Sequence, residues 1–116
     1  MIDVVVEGRP VPKERPRVAN GRAFTPRATS RYEDTIAWTV KGKYPGLKVD
    51  ADKNWCVAVT FVLGDRRKRD LDNLAKSVMD GLNGVVYQDD SQVVKLKAAK
   101  RYVKGAWRTM VTAWPE

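Results

Sequence analysis

The chain has 116 residues, enough for one domain built around one hydrophobic core, and we expect a single domain over residues 1–116. Lysine and arginine number 22 against 14 carboxylates, so the net charge is +8, which favours a polyanionic partner but also fits a soluble protein that happens to be basic. Histidine is absent and Cys56 is the only cysteine, which excludes histidine-based catalysis, an intrachain disulfide and a thiolate zinc cluster. With no apolar leader or membrane-length segment, we expect a protein of the reducing cytoplasm without a membrane partner.

The first half of the chain predicts a strand, a basic loop and a helix. Apolar residues at alternate positions predict a strand over residues 2–7, ended by Gly8 and Pro10. Residues 9–26 carry four prolines and several cations, which is typical either of a stiff arm for a ligand or of an ordinary solvated connection. Ser30 and Glu33 form a capping-box pair, which predicts a helix that starts there and ends at Pro45–Gly46.

The second half predicts three strands and one helix. Residues 55–63 are apolar at successive positions, which is typical of a central strand covered on both faces. Four consecutive cations at residues 66–69 precede a helix from about Asp72 to Leu82, closed by Gly84. Residues 93–102 and 107–114 predict two strands joined by a turn at Lys104 and Gly105, as a terminal antiparallel hairpin. The element order β-α-β-α-β-β predicts a two-layer α/β (α+β) domain with two helices on a mixed sheet of about four strands.

Five of the carboxylates are concentrated in a short stretch: Asp70, Asp72, Asp80, Asp89 and Asp90. Neighbouring carboxylates repel one another unless a cation neutralises them, and a hard divalent cation such as Mg²⁺ takes oxygen ligands. Asp70 and Asp72 project from the same side of an extended chain. Asp89 and Asp90 either cap a turn or reach back to a metal beside the first pair.

The second helix has a polar face made of Asp72, Asn73, Lys76 and Asp80, because at about 100° per residue its apolar side chains fill the opposite arc. On one interpretation these residues form exposed i,i+4 ion pairs worth about 0.2–0.5 kcal/mol each. On the other they form a catalytic face, where Lys76 stabilises charge on a phosphodiester beside a metal that activates water.

Motifs spread over most of the chain form one pattern: Asp70-Leu71-Asp72-Asn73, then Lys76, Asp80 and Leu82, then Asn83-Gly84-Val85 and Asp89-Asp90, after a proline-rich basic opening over residues 8–17. This pattern resembles the RusA family of Holliday junction resolvases. The resemblance implies a homodimeric, Mg²⁺-dependent endodeoxyribonuclease, with Mn²⁺ as a substitute, that cuts four-way DNA junctions symmetrically in recombination and repair. It also implies a phage or prophage origin and a bacterial host cell.

Residue roles follow from the same resemblance. It makes Asp70, Asp72 and Asp90 metal ligands, Lys76 a catalytic cation and Asp89 a further candidate ligand. Asn73 and Asp80 become supporting residues. Cations of the arm and turn are expected to contact DNA phosphates: Lys13, Arg15, Arg17, Arg66, Arg67, Lys68 and Arg69.

Two alternatives stay open at this stage. A DNA-binding protein without catalysis explains the net charge but leaves the acids unexplained, since carboxylates oppose DNA binding unless a metal intervenes. A metal nuclease acting on flaps or single strands shares the site and differs in substrate. For the dimer, the terminal hairpin and the first helix are candidate surfaces.

Overall fold

The computed structural model describes residues 1–14 and 17–116. In chain order the elements are β1 (Ile2–Glu7), β2 (Arg17–Ala19), β3 (Arg22–Phe24), α1 (Arg27–Lys43), β4 (Trp55–Leu63), α2 (Leu71–Leu82), a 3₁₀ turn (Asp90–Gln92), β5 (Val93–Tyr102) and β6 (Arg108–Pro115). The predicted class of two helices and a mixed four-stranded sheet is confirmed. No helix in the part of the chain described here is long and apolar enough to cross a membrane.

A small hairpin lies where only a loop was predicted. Strands β2 and β3 pair antiparallel, and Asn20 and Gly21 between them have φ angles of 53° and 76°. Positive φ at both central residues is the geometry of a tight two-residue hairpin turn, for which Asn-Gly is the favoured sequence. The Asn20-Gly21 pair was therefore the sequence signal for this hairpin.

The four strands of the main sheet lie in the order β1-β6-β4-β5. β5 runs parallel to β4, whereas β6 is antiparallel to both β4 and β1. The predicted terminal hairpin is thus wrong, because β5 and β6 flank β4 on opposite sides. Helix α2 carries the chain back before β5, which makes the β4–β5 pair parallel. The charged β5 occupies an edge, and β6, with Val111 and Ala113 fully buried, occupies the interior.

Both helices start earlier than predicted. Ser30 does not cap α1, because its N–H already donates to the carbonyl of Pro26 at 3.1 Å, inside a helix that begins at Arg27. Asp72 lies in the first turn of α2, since the N–H of Leu74 bonds the carbonyl of Asp70 at 3.1 Å and places Asp70 at the N-cap. Asp70 thus keeps an extended backbone, whereas Asp72 and Asn73 already belong to the first turn of the helix.

One hydrophobic core joins the two helices to one face of the sheet. Its helical members include Ile36 and Val40 of α1 and Leu74, Val78 and Leu82 of α2. Helix α1 approaches α2 closely at Gly81, where a Cβ atom would lie 3.1 Å from the carbonyl oxygen of Glu33. This close approach brings Glu33 next to the polar face of α2.

β4 has helices on one face only, although its sequence predicted cover on both. Val57, Val59 and Phe61 belong to the core, whereas Cys56 and Val62 on the other face are buried outside that cluster. The prediction of a central strand is confirmed, and the predicted cover on the second face is partial: Cys56 and Val62 are buried there, whereas Ala58 and Thr60 are half-buried. We call the second face the open face.

Candidate active site

The polar face of α2 is present as predicted, and Lys76 is its centre. The ammonium of Lys76 lies 3.0 Å from Asp80 Oδ1 and 2.6 Å from Asp90 Oδ2. The hydrogen bond to Asp90 is the largest of the effects that raise the pKa of Lys76, so this ammonium is charged at neutral pH. The 3₁₀ turn thus returns one acid of the 89–90 pair to the helix.

The two acids of that pair have different tasks. The carboxylate of Asp89 accepts from the N–H of Ser91 at 3.0 Å and closes a capping box with Gln92. Hydrogen bonding by Ser91, first through its side chain and then through its N–H, lowers the pKa of Asp89. The side chain of Gln92 also donates to the carbonyls of Asp50 and Lys53, both at 2.7 Å. Asp89 and Gln92 therefore fix the turn that aims Asp90 at Lys76.

Lys13 of the basic arm is engaged with acids of the protein body. Its ammonium lies 2.7 Å from Glu33 Oε1 and 3.1 Å from Asp80 Oδ2, and its N–H donates to the carbonyl of Asn73 at 2.8 Å. Burial lowers the pKa of Lys13, but the hydrogen bonds to Glu33 and Asp80 outweigh it and the net shift is upward. The ion pairs therefore form a series of alternating charges, which we call the ion-pair chain: Glu33, Lys13, Asp80, Lys76 and Asp90.

Asp70 and Asp72 lie apart from the ion-pair chain, at the N-terminus of α2. Both are exposed, and among the described residues neither forms an ion pair. Asn73 links them, since its N–H donates to Asp72 Oδ1 at 2.9 Å and its side-chain amide to Asp70 Oδ2 at 3.4 Å. The helix dipole favours negative charge at this end of α2.

The structure does not gather the predicted ligands into a finished cage. Within residues 1–14 and 17–116, no three acidic or cysteine side chains lie together in an arrangement that could hold a metal ion. The donor chemistry nevertheless fits a hard divalent cation: Asp70 and Asp72 offer exposed carboxylates, and one oxygen of Asp90 accepts from Lys76. Mg²⁺ characteristically uses one or two carboxylates with water and substrate phosphate, so a complete protein cage is not required.

A groove connects the N-terminus of α2 to the basic segments. It is lined by residues of the arm, of the 66–69 turn and of the helix start: Pro12, Lys13, Glu14, Lys68, Arg69, Asp70 and Asn73. A backbone phosphate lying here would be near cations from two segments, Lys13 of the arm and Lys68 and Arg69 of the turn, and near the carboxylate of Asp70. Of the other predicted DNA contacts in the arm, Arg15 lies outside the described residues and Arg17 begins β2.

Within the 66–69 turn, the four cations differ in environment. Arg69 is held in place: its guanidinium lies 2.8 Å from Asp65 Oδ1, and it sits 5.2 Å from the centre of the Trp107 ring. Arg66 stacks 4.1 Å from the centre of the Tyr102 ring. Arg67 and Lys68 are exposed. The turn therefore combines a fixed arginine with two exposed cations, Arg67 and Lys68.

The sequence did not predict Glu33 as a site residue, because the capping-box pattern with Ser30 already accounted for an acid at that position. A signal was present, since Glu33 lies three and seven residues before the buried Ile36 and Val40, on the apolar side of α1. A charged residue at such a position needs a partner, and the sequence does not say which.

A basic two-layer domain with a helix face of carboxylates and a lysine, beside a groove lined by further cations, has the features of a nuclease. Comparison with known proteins identifies the nuclease family. Residues 7–112 match the sequence model of the family described as "Endodeoxyribonuclease RusA". The chain therefore belongs to the RusA family of endodeoxyribonucleases, and it is an enzyme of that family, for which a divalent metal requirement is general.

Individual relatives agree with this assignment. The "Crossover junction endodeoxyribonuclease RusA" of Aquifex aeolicus (strain VF5) is 29% identical over 107 residues, covering 90% of this chain and 83% of the relative. The protein of the same description from Enterobacteria phage 82 is 31% identical over 93 residues, covering 79% and 76%. "Uncharacterized protein YqaN" of Bacillus subtilis (strain 168) is 57% identical over 35 residues, 30% of this chain and 25% of the relative.

Proposed function

We propose that this enzyme resolves four-way DNA junctions as a homodimer, with Mg²⁺ held by Asp70, Asp72 and Asp90 and with Mn²⁺ able to substitute. The observation that supports it most is the position of Lys76, held between Asp80 and Asp90 on the helix that begins with Asp70 and Asp72. The neighbouring groove, which Asp70 and Asn73 line together with cations of the arm and the turn, is suited to a DNA phosphate. We place the activity in the cytoplasm of a bacterial host, where such junctions arise, and expect a phage or prophage origin.

Each side chain has a separate task in this proposal. The bound cation supplies an activated water and offsets charge on the phosphodiester. Asp70 and Asp72, exposed at the start of α2, hold the cation, and Asn73 orients both carboxylates. Lys76 faces the scissile phosphate as a positioned cation, and Asp80 keeps its ammonium in place.

The basic turn positions the duplex arms around this site. Arg67 and Lys68 are exposed cations beside the groove and are suited to phosphate contacts that carry no sequence information. Their contribution is electrostatic, so affinity falls as the salt concentration rises.

The proposal is tested with a labelled four-way junction and a linear duplex of the same sequence, each with Mg²⁺, with Mn²⁺ and with chelator. Paired, metal-dependent nicks confined to the junction are expected. Cutting of flaps or single strands in preference to the junction would assign a different substrate to the same site. Tight junction binding without cleavage in either metal would instead indicate a DNA-binding protein without catalysis.

A further inference from the structure

Three rows of side chains cross the open face of the sheet, from β1 through β6 and β4 to β5. Strand register defines them: Asp3, Thr112, Ala58 and Lys97 in the first row, Val5, Met110, Thr60 and Ala99 in the second, and Glu7, Arg108, Val62 and Arg101 in the third. Each outer row has an acid at its β1 end and a base at its β5 end. The middle row is uncharged.

The middle row of this face is uncharged and partly accessible, and Trp114 lies just beyond the first row. Val5 is 50% exposed, and Met110 and Trp114 are half-buried. None of the described helices covers these side chains, because both helices pack on the opposite face. An uncharged centre with charged margins is the usual composition of a protein interface.

The edges of the sheet are less suited to association than its face. On β1, the N–H of Asp3 donates to Tyr44 Oη at 2.9 Å and its carbonyl accepts from Lys43 Nζ at 2.6 Å. β5 carries Lys95, Lys97 and Lys100, and edge lysines oppose strand addition.

We propose that the open face binds the open face of a second copy, with the two-fold axis parallel to the strands. Rotation by a half turn about that axis leaves each row at the same position along the strands. It reverses the order of the strands across the sheet, so that β1 of one copy faces β5 of the second copy. Asp3 then lies opposite Lys97 of the second copy, and Glu7 lies opposite Arg101 of the second copy. An in-plane axis across the strands would place β1 on β1, acid against acid. Face-to-face sheets pack about 10 Å apart, within reach of these long side chains.

The same axis also suits cleavage of one junction by two active sites, a step of the inference that rests on the proposed homodimeric resolvase. β1 and β4 are both antiparallel to β6, and β5 is parallel to β4, so these three strands end at the same end of the sheet. The arm after β1 and the turn after β4 begin there, next to Asp70. A two-fold axis along the strands brings both copies of this end to one side of the dimer, where a single junction can contact both sites.

A charge-swap experiment in solution tests the surface, using the full-length protein without DNA or metal. Asp3→Lys and Lys97→Glu each place like charges across the interface and should weaken the dimer on the order of tenfold or more. The double variant restores opposite charges and should restore the wild-type dimer. Lys48→Glu, at an exposed lysine between α1 and β4, is the matched charge reversal and should leave association unchanged. Sedimentation equilibrium gives the dimer dissociation constants, and circular dichroism confirms that each variant is folded.

Each outcome decides the question. Weakening by both single changes with recovery in the double variant supports the surface and the axis. A wild-type chain that stays monomeric, a dimer unaffected by either single change, or a double variant weaker than both singles would overturn it. Because no DNA or metal is present, these results are independent of cleavage, so failure of the resolvase proposal in the junction assay would be recognised separately.

Discussion

Two carboxylates hold the ammonium of Lys76, and they come from different elements. Asp90 reaches it from the 3₁₀ turn at 2.6 Å, while Asp80 reaches it from one helical turn further along α2 at 3.0 Å. Asp80 in turn shares its other oxygen with Lys13 at 3.1 Å and is only 15% exposed. At the residue scale, the site is therefore a set of ion pairs whose members position one another.

Asp72→Asn removes one negative charge and almost no volume. We expect cleavage of a four-way junction to fall on the order of 100-fold or more, because the proposed metal ligand is lost. Junction affinity should be equal or higher, since an anion that repels phosphate is gone. Cleavage rates at saturating enzyme and binding in chelator check both statements, and an unchanged rate would remove Asp72 from the site.

Lys13→Met tests whether the ion-pair chain positions Lys76. If Lys13 positions Lys76 through Asp80, the cleavage rate at saturating enzyme should fall about 10- to 100-fold with little change in junction affinity. Lys13→Arg should recover part of the rate. Lys68→Met, the same chemical change at an exposed cation of the groove, should instead weaken binding.

A double variant separates positioning from a structural effect of Lys13. In the Asp80→Asn background, Lys13→Met should cause little further loss, because residues that act through one another are not additive. Additive losses, or a loss of affinity that accounts for the whole effect of Lys13→Met, would show that Lys13 contacts DNA or only fastens the arm.

At the scale of elements, the turn between β4 and α2 is organised by packing against Trp107. A Cβ atom on Gly64 would lie 2.6 Å from the indole ring, so the ring packs directly on the backbone there. Arg9 and Arg69 lie 4.5 Å and 5.2 Å from the ring centre, and Arg69 is also paired with Asp65. This arrangement fixes the start of α2 and leaves Arg67 and Lys68 exposed.

The four cations of this turn should therefore separate into two groups. Replacing Arg67 and Lys68 together by Gln should reduce the slope of log affinity against log salt by about 2, one unit for each phosphate contact. Arg69→Gln should lower the melting temperature, because it removes the pair with Asp65. Junction binding over a range of salt concentrations, with thermal unfolding of each variant, provides the test. A full loss of slope in Arg69→Gln at unchanged stability would contradict it.

At the scale of the whole molecule, two buried tyrosines fasten the helices to the rest of the fold. Tyr32 of α1 hydrogen bonds with Thr109 of β6, and Tyr87 donates to the carbonyl of Met79 at 2.8 Å. Burial raises the pKa of Tyr32 to about 12, and burial raises the pKa of Tyr87 as well. Both phenols therefore stay protonated in the folded protein at pH values where they ionise in the unfolded chain.

Alkaline pH should destabilise the fold for this reason. The unfolded chain loses a phenolic proton near pH 10 while the folded protein keeps it, so the free energy of unfolding falls as pH rises from about 10 to 12. Tyr32 contributes a slope of up to about 1.4 kcal/mol per pH unit, which Tyr32→Phe should remove. Tyr102→Phe, at an exposed tyrosine, is the control. Denaturant unfolding at several pH values measures the slopes, and equal slopes for wild type and Tyr32→Phe would contradict the prediction.

The sequence by itself determined the fold class, the apolar and polar faces of α2 and the chemical type of the site. These are properties of periodicity and of local composition: Leu74, Val78 and Leu82 face the core because of their spacing, whatever the rest of the chain does. The acidic motif together with Lys76, the later acids and the proline-rich basic opening was enough to identify the family by resemblance, which the match over residues 7–112 confirmed.

Only the tertiary structure decided which charges pair and which strands lie side by side. Lys13 and Glu33 are 20 residues apart, and their contact depends on the close packing of α1 against α2 at Gly81. β6 lies between β1 and β4, not beside β5, because its buried alternation fits the interior while the lysines of β5 fit an edge. Long-range pairings of this kind depend on the competition between all segments for the core, and a local pattern carries no record of that competition.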